Sequence, residues 1–467
     1  MFQHDRKPDL APEGPARRQD VGMLTPMRAV PLVLALLIGP LLLTGCGDGE
    51  SDAPPTAPPA PTLMTRGGAA PSDDEPEDAS EAGAEQDAAD AETSDTGAPD
   101  RAAGVPLEVG DEIPDGTPVE LMPRRSEPLA LGSPEYAIQA FLWWRPENAE
   151  RDLLLAEDMG FGFVKQIFGW RDIETEPGVF DWEKTDFIVG TTLRYGGVDL
   201  IVRLDFQPDW ARSGCSDQGP PNDLQDYANY VGKVAERYRG QIAAYQIWNE
   251  PNLAREWCDQ SPDPVAYAEM LRLAYAAIKA ADPAAYVISA GLTPTGSTPP
   301  VAMPDDQYLD RLYQAMGGDS EGYFDLLGVH AAGFAAPPEV SPDEAAASDA
   351  YGGERFFTFR RVEDLRAIQE RYGDGDTRVA ILEMGWTSDQ VNPSYKWHAV
   401  SEQTKADYLV RAYAYAEQNW SPWISFMSTI FLCDADWTQQ NEQYWWCINN
   451  PDGTPRPAFE ALKAMPK

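Results

Sequence analysis

The chain has 467 residues, of which 43% are apolar and 10% aromatic, so it can build a sizeable globular core and is not disordered as a whole. Its formal net charge of −40 argues against nucleic acid as a partner, because a second polyanion would be repelled. The charge is unevenly spread along the chain, which divides into segments of different composition.

An apolar run follows Arg28 and ends in small residues before Cys46. This layout is typical of a secretory signal peptide, and the run is shorter than the roughly 20 apolar residues of a membrane span. We therefore predict a signal peptide over residues 1–46, with Met23 or Met27 as alternative starts. A transmembrane anchor is the other interpretation.

The last four residues of this segment, Leu-Thr-Gly-Cys, resemble the lipobox of bacterial lipoproteins. The resemblance implies cleavage before Cys46 and a lipid on its thiol. The protein would then be extracytoplasmic and lipid-anchored to the bacterial cell envelope, or secreted if the lipobox is not used.

Residues 47–105 have the composition of a disordered acidic linker. Between Gly47 and Arg101 there are 15 acidic residues, 2 basic residues and no aromatic residue. Such a segment cannot bury enough apolar surface to offset its ordering entropy, and its like charges repel one another. Residues 106–133 are rich in Pro and Gly, and we interpret them as a lead-in segment.

Residues 134–467 alternate between apolar strand-like runs and helical patterns. Eight strands are predicted to end near residues 141, 167, 205, 249, 291, 330, 383 and 431. Continuous apolar runs are typical of parallel strands buried on both faces, and eight βα units predict an α/β fold, the (β/α)8 TIM barrel. An open doubly wound sheet is the alternative, weakened by the lack of a Gly-rich phosphate loop after the first strand.

Two of the predicted strands end in glutamates. The fourth ends in Asn249 and Glu250, and the seventh carries Glu383 after four apolar residues. In a TIM barrel the chemistry takes place where the strands end, and a glutamate after an apolar run is costly unless it is paired. Cleavage of a glycosidic bond needs two carboxyl groups, one to protonate the leaving oxygen and one to attack or to activate water. Two structural glutamates are the alternative interpretation.

The motifs Trp-Asn-Glu-Pro at the fourth strand and Glu-Met-Gly-Trp at the seventh resemble the clan A retaining glycoside hydrolases, closest to families 5 and 39. The resemblance covers roughly residues 134–467. It implies that Glu250 is the acid/base, that Glu383 is the nucleophile and that Asn249 binds the sugar 2-hydroxyl. The substrate would be a carbohydrate, and a non-catalytic carbohydrate-binding or solute-binding lipoprotein is the alternative.

The resemblance also suggests secondary site residues. His330 ends the sixth strand, but the tyrosine that relatives carry two residues later is absent here, since alanine follows twice. Lys165 stands where relatives often have an arginine near the nucleophile, and Asp205 ends the third strand. The alternatives are a core histidine, a structural lysine and a loop cap.

Sugars present flat C–H faces that stack on aromatic rings. Four tryptophans follow predicted strand ends, and we expect at least two of them to line the cleft, with Trp386 the best candidate. They are Trp170, Trp210, Trp386 and Trp437.

Four cysteines remain besides Cys46, which suggests disulfides in an exported protein, although free thiols are the alternative. In a barrel, Cys215 and Cys258 fall in neighbouring loops and Cys433 and Cys447 in one loop, so we predict these two pairs. The sequence has no Cys/His cluster and no calcium loop, so no metal or other cofactor is predicted, and we expect a monomer.

Overall fold

The computed structural model describes residues 113–143 and 146–467. The predicted signal peptide, the predicted lipidation site Cys46 and the predicted acidic linker lie outside these residues. Within the described part of the chain, no helix is both long and apolar enough to cross a membrane.

Eight parallel strands form a closed barrel, in the order β1, β2, β5, β6, β7, β8, β9, β10 and back to β1. They are β1 (Glu135–Gln139), β2 (Phe163–Gly169), β5 (Asp199–Asp205), β6 (Ala244–Ile247), β7 (Tyr286–Ile288), β8 (Leu326–Ala332), β9 (Arg378–Gly385) and β10 (Ile424–Thr429). A separate antiparallel hairpin consists of β3 (Glu174–Glu176) and β4 (Val179–Phe180). The predicted TIM-barrel fold is confirmed, and each predicted strand end lies within three residues of the observed one.

Helices follow the strands and cover the barrel. They are α1 (Pro146–Asp158), α2 (Trp170–Ile173), α3 (Glu183–Tyr195), α4 (Leu224–Arg237), α5 (Pro264–Ala281), α6 (Asp305–Ala315), α7 (Pro342–Ala346), α8 (Arg361–Arg371), α9 (Pro393–Lys396), α10 (Glu402–Trp420), α11 (Glu442–Trp446) and α12 (Pro457–Ala464). Short 3-10 helices span Val119–Leu121, Ala254–Trp257 and Asp349–Tyr351.

Helix α5 shows how local sequence sets these boundaries. The Asp263 side chain accepts hydrogen bonds from the backbone N–H groups of Val265 and Ala266, at 3.0 and 3.1 Å, and Pro264 occupies the first turn. Such a cap contributes about 1 kcal/mol to helix stability. The helix occupies the predicted residues 264–281 for this reason.

Helix α3, by contrast, was not named by the sequence pattern. Its central residues include the β-branched Ile188, Val189, Thr191 and Thr192, which lower helix propensity. Packing decides the conformation here, because all four residues are buried, and the helix ends at Gly196 with a φ of 68°.

The lead-in segment covers the end of the barrel at which the strands begin. Leu129 and Leu131 pack against the apolar residues that fill the barrel there. The Tyr286 hydroxyl donates to the Leu129 carbonyl at 2.7 Å, and Arg378 donates to the Leu131 carbonyl at 3.2 Å. The opposite face, at which all eight strands end, is the barrel mouth.

Two disulfides lie at the mouth. Cys215–Cys258 joins the loops after β5 and β6, and Cys433–Cys447 closes the loop after β10 on itself. Both pairs are the ones expected from the sequence.

Candidate active site

A strained turn follows β6 and directs Glu250 into the barrel mouth. Trp248 and Glu250 have φ values of 68° and 39°, in the left-handed region that non-glycine residues rarely adopt. Trp248 donates its backbone N–H to the Leu204 carbonyl at 3.1 Å and its indole N–H to the Glu256 carbonyl at 2.9 Å. Strain of this kind clusters at functional sites, where the surrounding structure enforces it.

A β-bulge in β9 sets the direction of Glu383. The register with β8 skips one residue between Ile381 and Glu383, so that Glu383 pairs with His330 and Leu382 is the extra residue. Leu382 belongs to the apolar cluster inside the barrel. Strict alternation would turn the next side chain outward, and the extra residue instead keeps Glu383 facing inward.

Glu250, His330 and Glu383 meet at the centre of the mouth. The His330 Nδ1 atom lies 3.0 Å from Glu250 Oε1 and 3.9 Å from Glu383 Oε2. One carboxylate oxygen of each glutamate and one ring nitrogen of the histidine lie within 4.8 Å of one another. The fold therefore brings together the two glutamates and the histidine that the sequence singled out.

Glu383 lies among positive charges. Lys165 Nζ is 3.1 Å from Glu383 Oε1, and Arg203 NH1 is 3.7 Å from the same oxygen. Burial by itself would raise the pKa of Glu383, but the charges of Lys165, His330 and Arg203 lower this pKa to about 2. Glu383 is therefore ionised at neutral pH.

Lys165 is fully buried, and its ammonium also donates to the Leu382 carbonyl at 3.0 Å. Burial lowers the pKa of Lys165 to about 8, against the opposing effect of Glu383. Lys165 therefore contacts Glu383, and its role toward a substrate stays a prediction.

Arg203 was missed by sequence reasoning. It lies on β5 two residues before Asp205, and both side chains are buried at the end of a mostly apolar strand. The Arg203 Nε atom forms an ion pair with Asp205 Oδ2 at 2.7 Å. Asp205 is fully buried, and burial raises its pKa to about 7 although Arg203 opposes the shift. Asp205 is thus the ion-pair partner of Arg203. Glu383 is contacted by Lys165 and Arg203, and the position two residues after His330 is an alanine, not a tyrosine.

His330 fits its position because its neighbour Gly291 has no side chain. A Cβ atom on Gly291 would lie 2.1 Å from His330 Cδ2 and 2.2 Å from Nε2. The Nε2 atom is buried and has no hydrogen-bond partner in the described structure. The ring contacts the carboxylates through Nδ1 instead.

Asn249 is buried at the mouth, and its side-chain oxygen accepts a 3.3 Å hydrogen bond from Gln246 Nε2. Its role toward a sugar hydroxyl stays a prediction. Glu250 has a second charged neighbour that the sequence did not suggest, Arg255, whose NH2 group donates to Glu250 Oε2 at 2.9 Å.

The expectation that Trp386 is a sugar platform is not met. Its ring is fully buried in the hydrophobic core, and its indole N–H donates to the Ala336 carbonyl at 2.9 Å. Trp170 is also fully buried and stacks on Tyr230 at a centroid distance of 5.3 Å. Other aromatic side chains cover both rings, Tyr227 and Tyr230 of helix α4 in the case of Trp170, and Phe359 and Tyr408 in the case of Trp386.

Trp210 and Trp437 remain as predicted cleft residues. Trp210 is half-buried in the loop after β5, and its indole N–H donates to the Glu174 carbonyl at 3.0 Å. Trp437 packs edge-on against Phe141 with ring centroids 4.8 Å apart, in an aromatic cluster above β1, β8 and β10.

Glu250, His330 and Glu383 are also a possible ligand set for a metal ion, the one such group within the described residues. A cation between them would have to compete with Lys165 at 3.1 Å from Glu383 and Arg255 at 2.9 Å from Glu250. The cationic side chains of Lys165 and Arg255 already pair with the two carboxylates, so the electrostatics of the site do not favour an additional cation.

No known protein-family model matches the chain, and no curated protein matches it. Among solved structures, the chain is similar to a family 39 glycoside hydrolase from the gut symbiont Bacteroides cellulosilyticus WH2, with a TM-score of 0.51 and 16% identity over 70% of this chain and 62% of that one. It is also similar to GH5_18 from Streptomyces cattleya, solved in complex with GlcNAc, with a TM-score of 0.49 and 15% identity over 72% of this chain and 80% of that one. The first likeness supports the TIM-barrel fold, and the match spans less than two thirds of the length of the family 39 protein.

Proposed function

We propose that residues 134–467 form a retaining glycoside hydrolase acting on a poly- or oligosaccharide, with Glu250 as the acid/base and Glu383 as the nucleophile. One observation carries the proposal. Two buried carboxylates, from the fourth and seventh barrel strands, have oxygen atoms within 4.8 Å of each other. Retaining enzymes hold their carboxyl groups about 5–5.5 Å apart, whereas inverting enzymes separate them by about 6.5–9.5 Å to admit a water molecule.

The electrostatics support the assignment of roles. A nucleophile must be ionised, and Lys165, His330 and Arg203 lower the pKa of Glu383 to about 2 although burial opposes them. Glu250, in its protonated form, would give its proton to the leaving oxygen while Glu383 attacks the anomeric carbon. Glu250 would then deprotonate the water that hydrolyses the glycosyl-enzyme, and the product would keep the anomeric configuration of the substrate.

The alternative of a barrel that only binds carbohydrate is not favoured by this arrangement. Binding alone does not require two carboxylates in close approach, and burying them costs free energy unless they are paired.

The proposal is tested by a screen of aryl glycosides, followed by proton NMR of the first product anomer. We expect retention of configuration, near loss of hydrolysis in E250Q and E383Q, and labelling of Glu383 by a matching 2-deoxy-2-fluoro glycoside. Full activity of E383Q, or an inverted first product, would overturn the mechanism.

We also propose that the protein is exported and anchored to the envelope by a lipid on Cys46, with the acidic segment as a tether. The lipobox resemblance supports this part of the proposal. Mass spectrometry of the N-terminal peptide should find the lipid on Cys46, and C46S should release the protein from the membrane fraction. An unmodified Cys46 in the membrane-bound protein would contradict the anchor.

A further inference from the structure

We infer that Arg255 is the positioning residue for Glu250, and that the Cys215–Cys258 disulfide holds the loop from which Arg255 reaches it. The inference rests on the proposed function, because it concerns the acid/base of that mechanism.

Arg255 bridges two buried carboxylates. It belongs to the 3-10 helix Ala254–Trp257 in the loop after β6. Its NH2 group donates to Glu250 Oε2 at 2.9 Å, and its Nε atom forms an ion pair with Glu256 Oε1 at 3.1 Å. The guanidinium thus lies between a hydrogen bond to Glu250 and an ion pair with Glu256, and this placement restricts the direction from which Arg255 donates to Glu250.

The second carboxylate, Glu256, is itself held. The Gln218 side-chain amide donates to Glu256 Oε2, and the Gln218 side-chain oxygen accepts from the Phe206 N–H at 3.0 Å. Glu256 is completely buried, and burial raises its pKa while the neighbouring charge of Arg255 opposes the shift. The position of Arg255 is therefore defined from the loop after β5 as well as from its own loop.

The disulfide ties these two loops together beside Arg255. Cys258 lies three residues after Arg255 and is bonded to Cys215 in the loop after β5. The Cys258 N–H donates to the Gln218 carbonyl at 2.8 Å, and the Gln218 N–H donates to the Arg255 carbonyl at 3.4 Å. A break at the disulfide would loosen the segment that orients the guanidinium.

The two oxygens of Glu250 thus have different surroundings. Oε2 accepts a hydrogen bond from Arg255, and Oε1 lies 3.0 Å from His330 Nδ1. Holding Oε2 fixes the rotation of the carboxyl group, so that Oε1 is the oxygen directed at the glycosidic bond. Proton donation depends on this geometry because a general acid must lie within hydrogen-bond reach of the leaving oxygen.

The test compares aryl glycosides with good and poor leaving groups. A 2,4-dinitrophenyl group departs without protonation, whereas an unsubstituted phenol needs the acid. General acid catalysis contributes about 10²–10⁴-fold, so we expect R255A to lose at least about tenfold more kcat/KM on the phenyl than on the dinitrophenyl glycoside. R255K should restore part of the difference, since lysine supplies the charge without the fork.

R361A is the matched control. Arg361 forms a buried ion pair with Asp305 at 2.7 and 3.0 Å between helices α6 and α8, and neither residue belongs to the candidate active site. Its loss should lower thermal stability and change both rates by the same factor. Should R255A prevent folding, E256Q removes one of the two anchors of Arg255 and should give a smaller leaving-group dependence of the same sign.

The disulfide is tested by C215S/C258S against C433S/C447S. The first double variant should reproduce the selective loss on the phenyl glycoside, and the second should not. An equal loss on both substrates in R255A, or C215S/C258S with an unchanged ratio of rates, would overturn the inference. The variant E250A separates this failure from that of the proposed function. If E250A loses equal activity on both glycosides, the assignment of Glu250 as the acid is wrong. If E250A loses more activity on the phenyl glycoside but R255A does not, only the inference about Arg255 fails.

Discussion

Lys165 Nζ lies 3.1 Å from Glu383 Oε1, and both side chains are buried inside the barrel. The two residues come from β2 and β9, which are not neighbouring strands, so the ion pair crosses the barrel. Removing one partner of a buried pair leaves an uncompensated charge.

We expect E383Q and K165M each to lower the free energy of unfolding by about 3–5 kcal/mol. The double variant E383Q/K165M should lose less than the sum of the two, because neither charge is then left alone. Urea unfolding of the four proteins measures the coupling.

The exposed pair Lys233–Glu236, at 2.7 Å on helix α4, is the control for this cycle. K233A and E236A should each change stability by less than about 1 kcal/mol, since solvent screens exposed pairs. Additive effects of E383Q and K165M would show that the buried charges do not stabilise each other.

Lys165 predicts an alkaline limit of activity. Burial lowers its pKa from 10.5 to about 8, so its positive charge beside Glu383 is lost as the pH rises through about 8. We expect kcat/KM to decrease as the pH rises above about 8. In K165R this decrease should move to higher pH, because arginine keeps its proton. If kcat/KM of K165R decreases at the same pH as that of the wild type, another group is responsible for the decrease.

Glu383 predicts an acid dependence of stability. Its pKa in the folded protein is about 2, lowered from 4.5 by Lys165, His330 and Arg203 against the effect of burial. A carboxyl group with a depressed pKa stabilises the fold above its unfolded value and loses this contribution as the pH falls. The free energy of unfolding should therefore decrease between about pH 4.5 and pH 2, and less steeply in E383Q. Equal slopes for the two proteins would contradict the depressed pKa.

Gly291 predicts a steric requirement for His330. A Cβ atom at this position would lie 2.1 Å from the imidazole ring, so G291A must displace the ring from Glu250. We expect a loss of kcat of tenfold or more, by analogy with the roughly 10²-fold cost of a misplaced catalytic group. G162A, where the added Cβ would meet no atom within 4 Å, is the control and should keep full activity. Equal rates for G291A and the wild type would show that His330 can move without consequence.

The burial of Trp386 predicts a structural role. Its ring is fully buried, so W386A should cost about 3–5 kcal/mol of stability. Trp397, in the same loop after β9, is 39% exposed, and W397A should cost clearly less. Thermal unfolding of both variants decides the matter, and a near-neutral W386A would return Trp386 to the list of candidate sugar platforms.

Much of the fold was predictable because it depends on local patterns. The apolar runs of buried parallel strands and the helical spacing between them are written in consecutive residues, and the cap at Asp263 sets the start of α5. Glu250 and Glu383 stood out for the same reason, since each ends an apolar run where a charge is costly.

Arg203, Arg255 and the burial of Trp386 were not predictable in this way. Arg203 and Arg255 contact the two glutamates only because the fold brings the ends of β5, β6 and β9 together. Trp386 is covered by Phe359, just before helix α8, and by Tyr408 in helix α10. Such contacts join residues that are far apart in the chain, and the hydrophobic periodicity of the sequence does not predict them.

The sequence by itself determined the eight alternating strand and helix segments, the approximate strand ends and the two glutamates located there. These features follow from the conformational propensities and the hydrophobic pattern of consecutive residues. Only the tertiary structure decided which cations surround each carboxylate. The bulge at Leu382 changes the direction of Glu383 by a single residue of register, and that shift depends on the pairing with β8 and not on the residues of β9 alone.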